Sequence, residues 1–317
     1  MKINNSYVII VIGCDYMQDV RRIIEQNKEL FGDNPVVNKI NVGFTNTIYN
    51  VNDKFIIKIC SDIKNEPKFQ NEIDFYNANK DNDLIPKLYY FDNTKSDVPY
   101  YYEILEKIEG ITLYNVWHNF NETQREDIIK QLCEAMKKMH SNVGKYYDWI
   151  EYNKEKFNNL YDEAKKEQLF NEDEIKTLNK VYSLFDKYLV SNEVVLVHND
   201  IHFDNIFINN GKIKIIDFER SMYAPKDYDL HILYYMIRQP WKHASEDCEK
   251  FTKVEDYANI MKYIEMYYPE IIHTPNLYKR LAIYDVIYEL SHFIQFPKYR
   301  EELREAIFNA AKIVLKN

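Results

Sequence analysis

Glycine is scarce in this chain, with only 6 glycines among 317 residues. A phosphate-binding loop built from several glycines is therefore excluded, because such loops need glycine where the backbone approaches the phosphate. Basic residues are not in excess either, since 41 Lys and Arg against 50 Asp and Glu give a formal net charge of −9. An acidic chain without a basic patch repels nucleic-acid phosphates, so we expect no nucleic-acid partner.

Cysteines and long hydrophobic runs are also few. The four cysteines form no C-x-x-C pair, which excludes the common structural zinc spacings and a disulfide framework; they are Cys14, Cys60, Cys133 and Cys248. Reduced thiols are typical of the cytosol, so we expect a cytoplasmic protein. The apolar run 8–12 is shorter than the roughly 7–15 residues of a signal-peptide core and the ~20 of a membrane span. We therefore expect neither export nor membrane insertion. We also expect a monomer.

The composition that remains is that of a globular protein, with 46% hydrophobic and 29% charged residues. The first third combines short runs rich in Val, Ile, Phe and Tyr with two helical patterns, at 17–31 and 66–80. Asn52-Asp53 between two of the runs predicts a hairpin turn. Five strands are expected, at 36–43, 46–51, 54–60, 87–91 and 100–108.

From residue 111 onward the apolar spacing becomes helical. One small group of β-strands interrupts the helices, at 194–198, 205–208 and 212–216, with a turn at Asn209-Asn210-Gly211. The helical spacing predicts helices at 122–141, 148–166, 171–190, 227–238, 253–267, 277–293 and 300–316.

The segment 198–205 reads HNDIHFDN, and DFE follows at 217–219 after the predicted hairpin. Asp217 comes 17 positions after Asp200, so the hairpin brings both carboxylates and Asn205 to one end of the small sheet. Amide and carboxylate oxygens suit Mg²⁺, which takes its other ligands from water and phosphate, and Asp200 remains free to receive a hydroxyl proton. These residues predict magnesium-assisted phosphoryl transfer.

The order H-x-D-x-x-x-x-N and then D-F-E resembles the aminoglycoside phosphotransferase and choline kinase family, a branch of the protein-kinase-like fold. Asn199 is also found at this position in a subset related to the 2″-aminoglycoside phosphotransferases. The resemblance implies an α+β, bilobal protein-kinase-like fold. A small antiparallel β-sheet lobe with one central helix would span 1–109, and a mainly helical lobe would span 110–317.

The same resemblance implies roles for individual residues. Asp200 matches the catalytic base of the family, and Asn205 and Asp217 match its magnesium ligands. In FIIKI at 55–59, Lys58 matches the lysine that pairs with the nucleotide phosphates, and Glu72 matches its ion-pair partner. The donor would be ATP or GTP, and Asp229 would be structural.

Two further segments complete the implied nucleotide site. The loop 42–47 is in the place of the phosphate-covering loop, where Gly43, Thr45 and Asn46 would use backbone N–H groups and polar side chains. The segment 105–110 resembles the hinge between the lobes, where backbone groups of Glu106 and Ile108 would meet the purine edge.

The acceptor side is predicted from charge and aromatic residues. Acidic side chains attract a cationic substrate, and an aromatic wall suits a sugar or a quaternary amine. The candidates are Glu219, Trp241, Glu246, Asp247 and Glu289. We expect an alcohol-group phosphotransferase acting on an amine-bearing acceptor, with an aminoglycoside-type antibiotic, and hence antibiotic resistance, as the first candidate.

Three alternatives remain open at this point. The acceptor could be another small alcohol, such as choline, a macrolide sugar or an amino alcohol. The chain could instead be a pseudokinase that binds nucleotide without turnover. His198 and His202 lie four residues apart, a spacing that also suits a zinc hydrolase.

Overall fold

The computed structural model describes residues 16–40, 46–242 and 246–316, without the side chains of 246 and 247. The apolar run 8–12, Cys14 and the loop residues Gly43 and Thr45 lie outside the described residues. In the part of the chain that is described, no helix has the length and apolar character needed to cross a bilayer.

The N-terminal part is an antiparallel sheet with one long helix beside it. The strands follow the order β1-β2-β3-β5-β4. The predicted strands are all present, although the helix expected at 17–31 is broken at Asn27. The elements are α1 (Met17–Gln26), α2 (Lys28–Phe31), β1 (Val37–Ile40), β2 (Asn46–Val51), β3 (Phe55–Cys60), α3 (Glu66–Ala78), β4 (Leu88–Asp92) and β5 (Tyr102–Glu106).

The hairpin between β2 and β3 follows from its two turn residues. Asn52 and Asp53 both have positive φ, 56° and 58°, and Asn and Asp tolerate this left-handed conformation better than most residues. The turn fixes the register at Val51 opposite Phe55 and Ile48 opposite Lys58. Lys58 is thereby placed in the middle strand of the sheet, as predicted.

The C-terminal part is mainly helical. Its first elements are β6 (Ile111–Thr112), α4 (Leu113–Val116), α5 (Glu122–His140), α6 (Trp149–Lys166), α7 (Glu172–Tyr182), α8 (Phe185–Tyr188), β7 (Val195–Val197), β8 (Ile206–Asn209), β9 (Lys212–Ile215) and β10 (Met222–Ala224). Its last elements are α9 (Leu230–Arg238), α10 (Glu246–Glu249), α11 (Ile260–Tyr267), α12 (Pro269–Ile272), α13 (Leu277–Gln295) and α14 (Arg300–Leu315).

Some predicted boundaries are wrong. The helix expected at 171–190 is broken between α7 and α8, where the Ser183 hydroxyl donates to the carbonyl of Lys180 and so caps the first helix. The helix expected at 253–267 begins as a 3₁₀ turn at Val254–Tyr257. The two-residue strand β6 and the three-residue strand β10 were not predicted, because such short runs carry no periodicity.

Gly110 marks the change from sheet to helices. Its φ is +131°, and a Cβ there would lie 2.5 Å from the carbonyl oxygen of Ile208. Directly after it, β6 pairs with β8, which in turn pairs with β9. The chain therefore leaves the large sheet and joins the small one through a position that only glycine fits. The division of the chain into lobes at 109 and 110 stays a prediction.

A buried ion pair holds α13 beneath the segment that precedes α9. Arg280, which is 2% exposed, donates from Nε and Nη2 to the two carboxylate oxygens of Asp227, at 2.8 and 2.9 Å. It also donates to the carbonyls of Tyr188 and Val190, both at 2.9 Å. All this places α8, α13 and the start of α9 in one rigid arrangement.

We expect Arg280→Ala to lower the free energy of unfolding by about 3–5 kcal/mol, because it leaves the Asp227 carboxylate buried without its partner. Urea denaturation measures the change. The matched control is Lys176→Ala, which removes an exposed ion pair with Asp173 and should cost less than about 1 kcal/mol. Equal losses for the two variants would contradict the structural role of the buried pair.

Candidate active site

The loop 198–205, between β7 and β8, is held in place by hydrogen bonds to Asp229. The Asp229 carboxylate accepts hydrogen bonds from the backbone N–H groups of His198 and Asn199, at 3.2 and 2.7 Å. The same carboxylate contacts His140 Nε2 at 2.8 Å. Asn199 adopts a left-handed conformation with a φ of 63°, which asparagine tolerates. Asp229 thus fixes the backbone that presents Asp200.

His198 braces this loop against the segment that follows β9. Its Nε2 lies 3.0 Å from the carbonyl oxygen of Ile216, and its ring lies 4.8 Å from that of Phe218. A carbonyl only accepts hydrogen bonds, so Nε2 carries the proton and is not available as a metal ligand. Within the described residues, no group of three His, Cys, Asp or Glu side chains is arranged to hold a metal. The arrangement gives a zinc hydrolase no support.

Asn205 and Asp217 present oxygen atoms on the side of the loop near Asp200. Asn205 donates from Nδ2 to the carbonyl of Asp200 at 3.0 Å, and its own carbonyl accepts from the N–H of Ile216 at 2.9 Å. Among the described residues, the Asn205 amide oxygen and the Asp217 carboxylate accept no hydrogen bond. These two oxygen ligands suit a hard cation, which would complete its coordination shell with phosphate and water.

The Asp200 carboxylate contacts a cation that sequence reasoning missed. Its Oδ1 lies 3.2 Å from Nη1 of Arg220, three residues after Asp217, and its Oδ2 lies 4.0 Å from Nε2 of His202. Burial lowers the pKa of His202, so the imidazole is neutral near pH 7. Arg220 is therefore the cation that contacts Asp200 within the described structure.

Lys58 is buried between two carboxyl groups. It pairs with Glu72 of α3 by a hydrogen bond, and its Nζ lies 3.9 Å from Glu103, which is directly opposite it on β5. Burial alone would lower the pKa of Lys58, but the charges of the neighbouring carboxylates, Glu72 above all, outweigh burial and raise that pKa. Lys58 thus stays protonated, and Asp217 contributes to its raised pKa from the segment after β9.

Glu103 is 0% exposed, and neither of its carboxyl oxygens has a hydrogen-bond partner in the described part of the chain. Burial raises the pKa of Glu103 well above its ordinary value, and repulsion from Glu72 raises it further. A buried group that is hard to ionise stays protonated at neutral pH. Lys58 and Glu72 therefore form the ion pair, with Glu103 as a neutral neighbour.

An aromatic stack connects the two parts of the site. The ring of Phe218 lies parallel to that of Phe75 on α3, with centroids 3.9 Å apart and an angle of 10°. Phe218 also meets Tyr76 edge to face. Because Phe218 follows Asp217 directly and Phe75 is one turn from Glu72, the stack sets Asp217 against the Lys58 side of the site.

The predicted hinge residues follow β5. The N–H of Glu106 donates to the carbonyl of Lys87 at 2.8 Å, and its carboxylate pairs with Lys214 at 2.7 Å. Ile108 makes no backbone hydrogen bond among the described residues, so its backbone groups are available to a ligand. Asn46 is the first residue of β2, opposite Cys60.

The acceptor candidates do not lie together. Glu219 lines a cavity beside Asp200, in company with Lys156 and Arg220. Trp241 and Glu289 line a different cavity of about 350 Å³. There Glu289 accepts a hydrogen bond from Tyr235 and lies 3.9 Å from Lys242. Glu246 and Asp247 belong to α10, and their side chains are outside the description.

Sequence reasoning missed three residues of the site for different reasons. Glu103 lies opposite Lys58 because of the register between β3 and β5. The sequence suggests which segments are strands, but it does not show which residues lie opposite each other. Arg220 follows the D-F-E motif directly and could have been singled out there. Lys156 lies on a helix of ordinary amphipathic pattern, which gives no signal.

Comparisons with known proteins agree with this geometry. The model of a family described as "Phosphotransferase enzyme family" matches residues 36–250. A comparison with curated proteins finds no match. The match to the family model confirms the resemblance predicted from the motifs.

Solved structures share the fold. The ADP-bound aminoglycoside phosphotransferase APH(2'')-Ib is 18% identical, with a TM-score of 0.67 over 93% of this chain and 99% of that one. The streptomycin–ATP complex of APH(2'')-IIa is 19% identical, with a TM-score of 0.65 over 92% and 97%. The GDP complex of aminoglycoside 2'-phosphotransferase-IIIa is 16% identical, with a TM-score of 0.60 over 95% and 97%. The α+β, protein-kinase-like fold class is confirmed.

The raised pKa of Glu103 gives a test by Glu103→Gln. In the unfolded chain Glu103 ionises near its ordinary value of about 4.3, whereas in the folded chain it keeps its proton to a higher pH. Above that value the unfolded state binds fewer protons, so wild-type stability falls as pH rises. Glutamine cannot ionise, so we expect the variant to gain stability relative to wild type between pH 4.5 and 8.

Urea unfolding of both proteins across this range measures the difference. Glu155→Gln, at an exposed position on α6, serves as the control and should show no such trend. A wild-type-to-variant difference that stays constant with pH would mean that Glu103 is ionised in the folded protein.

Proposed function

Because the chain belongs to the phosphotransferase enzyme family, we propose that it transfers the γ-phosphoryl group of ATP or GTP to a hydroxyl of a small acceptor. One observation carries the proposal. The buried Lys58–Glu72 ion pair lies within range of the charge of Asp217. The Asp217 segment is in turn joined to the Asp200 loop, because Ile216 donates to the Asn205 carbonyl and the Asn205 amide donates to the Asp200 carbonyl. The proposal therefore assigns a phosphate-binding cation and a candidate base to one site.

In this proposal Asp200 is the catalytic base. Its carboxylate takes the hydroxyl proton as the acceptor oxygen bonds to the γ-phosphorus. The bond between the γ-phosphorus and the bridging oxygen breaks, and the nucleoside diphosphate leaves with that oxygen. The protein contributes positioning and charge neutralisation, which explains why the 198–205 loop is fixed by so many hydrogen bonds.

The nucleotide would lie between the sheet and this loop. Lys58, kept in place by Glu72, would bind phosphate oxygens, and backbone groups of Glu106 and Ile108 would meet the purine. Asn46, with Gly43 and Thr45, would cover the phosphates. The names of the neighbours include ADP, ATP and GDP, which supports a nucleoside triphosphate of either purine as the donor.

Asn205 and Asp217 would hold Mg²⁺, since their oxygen atoms are not engaged by other described residues and suit a hard cation. When bound, the ion would supply positive charge to the β- and γ-phosphate oxygens. The orientation of Asn205 is set by its hydrogen bond to the Asp200 carbonyl. The ligand and the candidate base are therefore positioned together.

The names of the neighbours favour an amine-bearing acceptor of the aminoglycoside type, and phosphorylation of such a drug would give antibiotic resistance. Glu219 is the acidic side chain in the cavity beside Asp200 and would take an ammonium group. Choline, a macrolide sugar or an amino alcohol is the alternative acceptor. We place the reaction in the cytoplasm, where nucleoside triphosphates are made, and expect a monomer.

We expect Asp200→Ala to lower kcat by about 10²–10⁴-fold, the usual contribution of a general base, and to leave nucleotide affinity nearly unchanged. Steady-state kinetics and nucleotide titration measure the two quantities. Asp162→Asn, on the exposed face of α6, is the matched control. Equal loss of turnover and nucleotide binding in a folded variant would refute the role of Asp200 as base.

We also expect nucleoside diphosphate release from both ATP and GTP when an acceptor is present, because the hinge offers backbone groups to the purine. A coupled assay with aminoglycosides, macrolides and choline measures it. Turnover with kanamycin or streptomycin would support the aminoglycoside acceptor, and turnover with choline or a macrolide alone would favour the alternative. Tight binding of Mg·NTP without turnover on any acceptor would favour the pseudokinase.

A further inference from the structure

A cavity of about 270 Å³ lies beside the 198–205 loop on its helical side. Its walls come from α3, α6, α9, α13 and the segment after Asp217. Asn199 and Arg220 line it, and Arg220 contacts the Asp200 carboxylate. An acceptor that presents a hydroxyl to Asp200 would therefore place the rest of its structure in this cavity.

The charged side chains of the cavity wall are mostly basic. Lys68, Lys156 and Arg220 line it, against the single carboxylate of Glu219. His231 also lines it, but its Nε2 lies 3.1 Å from Asp285 on the far side. The wall has an excess of positive charge although the whole chain is acidic.

Lys156 carries the argument because its charge is not balanced by the protein. Its side chain is half-buried on α6, and in the described structure its ammonium group has neither an ion pair nor a hydrogen bond. Burial lowers the pKa of Lys156, an effect that Tyr152 partly offsets and the charge of Arg220 reinforces. A desolvated cation beside another cation is unfavourable unless an anion joins them.

Arg220 is held by a carboxylate that the reaction needs. Its Nη1 lies 3.2 Å from Oδ1 of Asp200, one of the two carboxylate oxygens of the candidate base. A carboxylate or phosphate on the acceptor offers the guanidinium two oxygen atoms for a bidentate pair. Moving Arg220 from Asp200 to that group would free the carboxylate oxygen for the hydroxyl.

An ammonium group in the same place would have the opposite effect. It would be repelled by Lys156 and Arg220 and would leave Lys156 without an anionic partner among the described residues. Repulsion of this kind discriminates between ligands. The part of the cavity beside Lys156 and Arg220 therefore favours an anionic group, and Glu219 is the part of the wall that suits an ammonium group.

On the proposed transfer to a hydroxyl at Asp200, we infer that the acceptor bears a carboxylate or phosphate group, which Lys156 and Arg220 bind in this cavity. The group is a binding handle, and the hydroxyl is the part that reacts. The inference names a substrate class for the site, and it rests on Lys156 and Arg220 lining one cavity next to the candidate base.

The test is the protection of Lys156 from acetylation by acetic anhydride, read by mass spectrometry, because only an unprotonated and accessible amine reacts. The probes are glucose 6-phosphate, glucuronate, glucose and kanamycin, each at saturating concentration. We expect glucose 6-phosphate, glucuronate or both to slow the acetylation of Lys156 several-fold. The probe that protects shows whether the site binds a phosphate or a carboxylate. Glucose and kanamycin should leave the rate unchanged. Lys154, on the same helix and paired with Asp186 at 2.8 Å, is the internal control.

Protection by kanamycin, or the absence of protection by both anionic probes, would overturn the inference. The measurement needs no turnover, so its result is separate from the proposed function: protection of Lys156 with no kinase activity would leave the anion site standing and remove the kinase. Turnover on an uncharged or cationic acceptor without protection would do the reverse.

A second measurement uses the full enzyme with whichever anionic probe is phosphorylated. Lys156→Gln should raise the KM for that probe by about tenfold or more, since a charge-assisted hydrogen bond is lost, and leave kcat and the KM for nucleotide unchanged. Lys154→Gln should change none of these. An unchanged KM in a folded Lys156→Gln protein would overturn the inference.

Discussion

The site depends on the carboxylate of Asp229, which is itself buried. Two backbone N–H groups of the 198–205 loop and the ring of His140 converge on it. A carboxylate with several donors is strongly oriented, so the loop backbone has one position. Asp227, two residues earlier, is tied to Arg280 in the same manner. The start of α9 is thereby fixed to α13, and the placement of Asp200 follows from that.

The two sides of the site differ in how their charges are balanced. On the nucleotide side, Lys58 has two carboxyl neighbours, and the burial of Glu103 leaves one of them protonated. On the acceptor side, Lys156 has no carboxylate partner among the described residues, and Arg220 contacts Asp200. The first arrangement holds a cation ready for phosphate oxygens. The second is incomplete until a ligand brings negative charge.

Much of the fold and part of the site could be predicted from the sequence. Two local patterns made this possible: the order of Asp200, Asn205 and Asp217 around a hairpin, and the turn residue Asn52. Each can be recognised from residues that are close together in the sequence. The partnership of Lys58 with Glu103 depends on strand register, and the cavity around Lys156 depends on how α6 packs against α13. Both are tertiary properties that no local pattern contains.

Gly110 lies where the chain passes from the large sheet to the small one. Directly after Gly110, β6 pairs with β8 of the small sheet. At Gly110 itself, the Ile208 carbonyl leaves no room for a side chain. Before it, β5 ends at Glu106 within the large sheet. Residues 107–110 are therefore all the chain that separates the last strand of the large sheet from the first strand of the small one, and a side chain at Gly110 would push β6 away from β8.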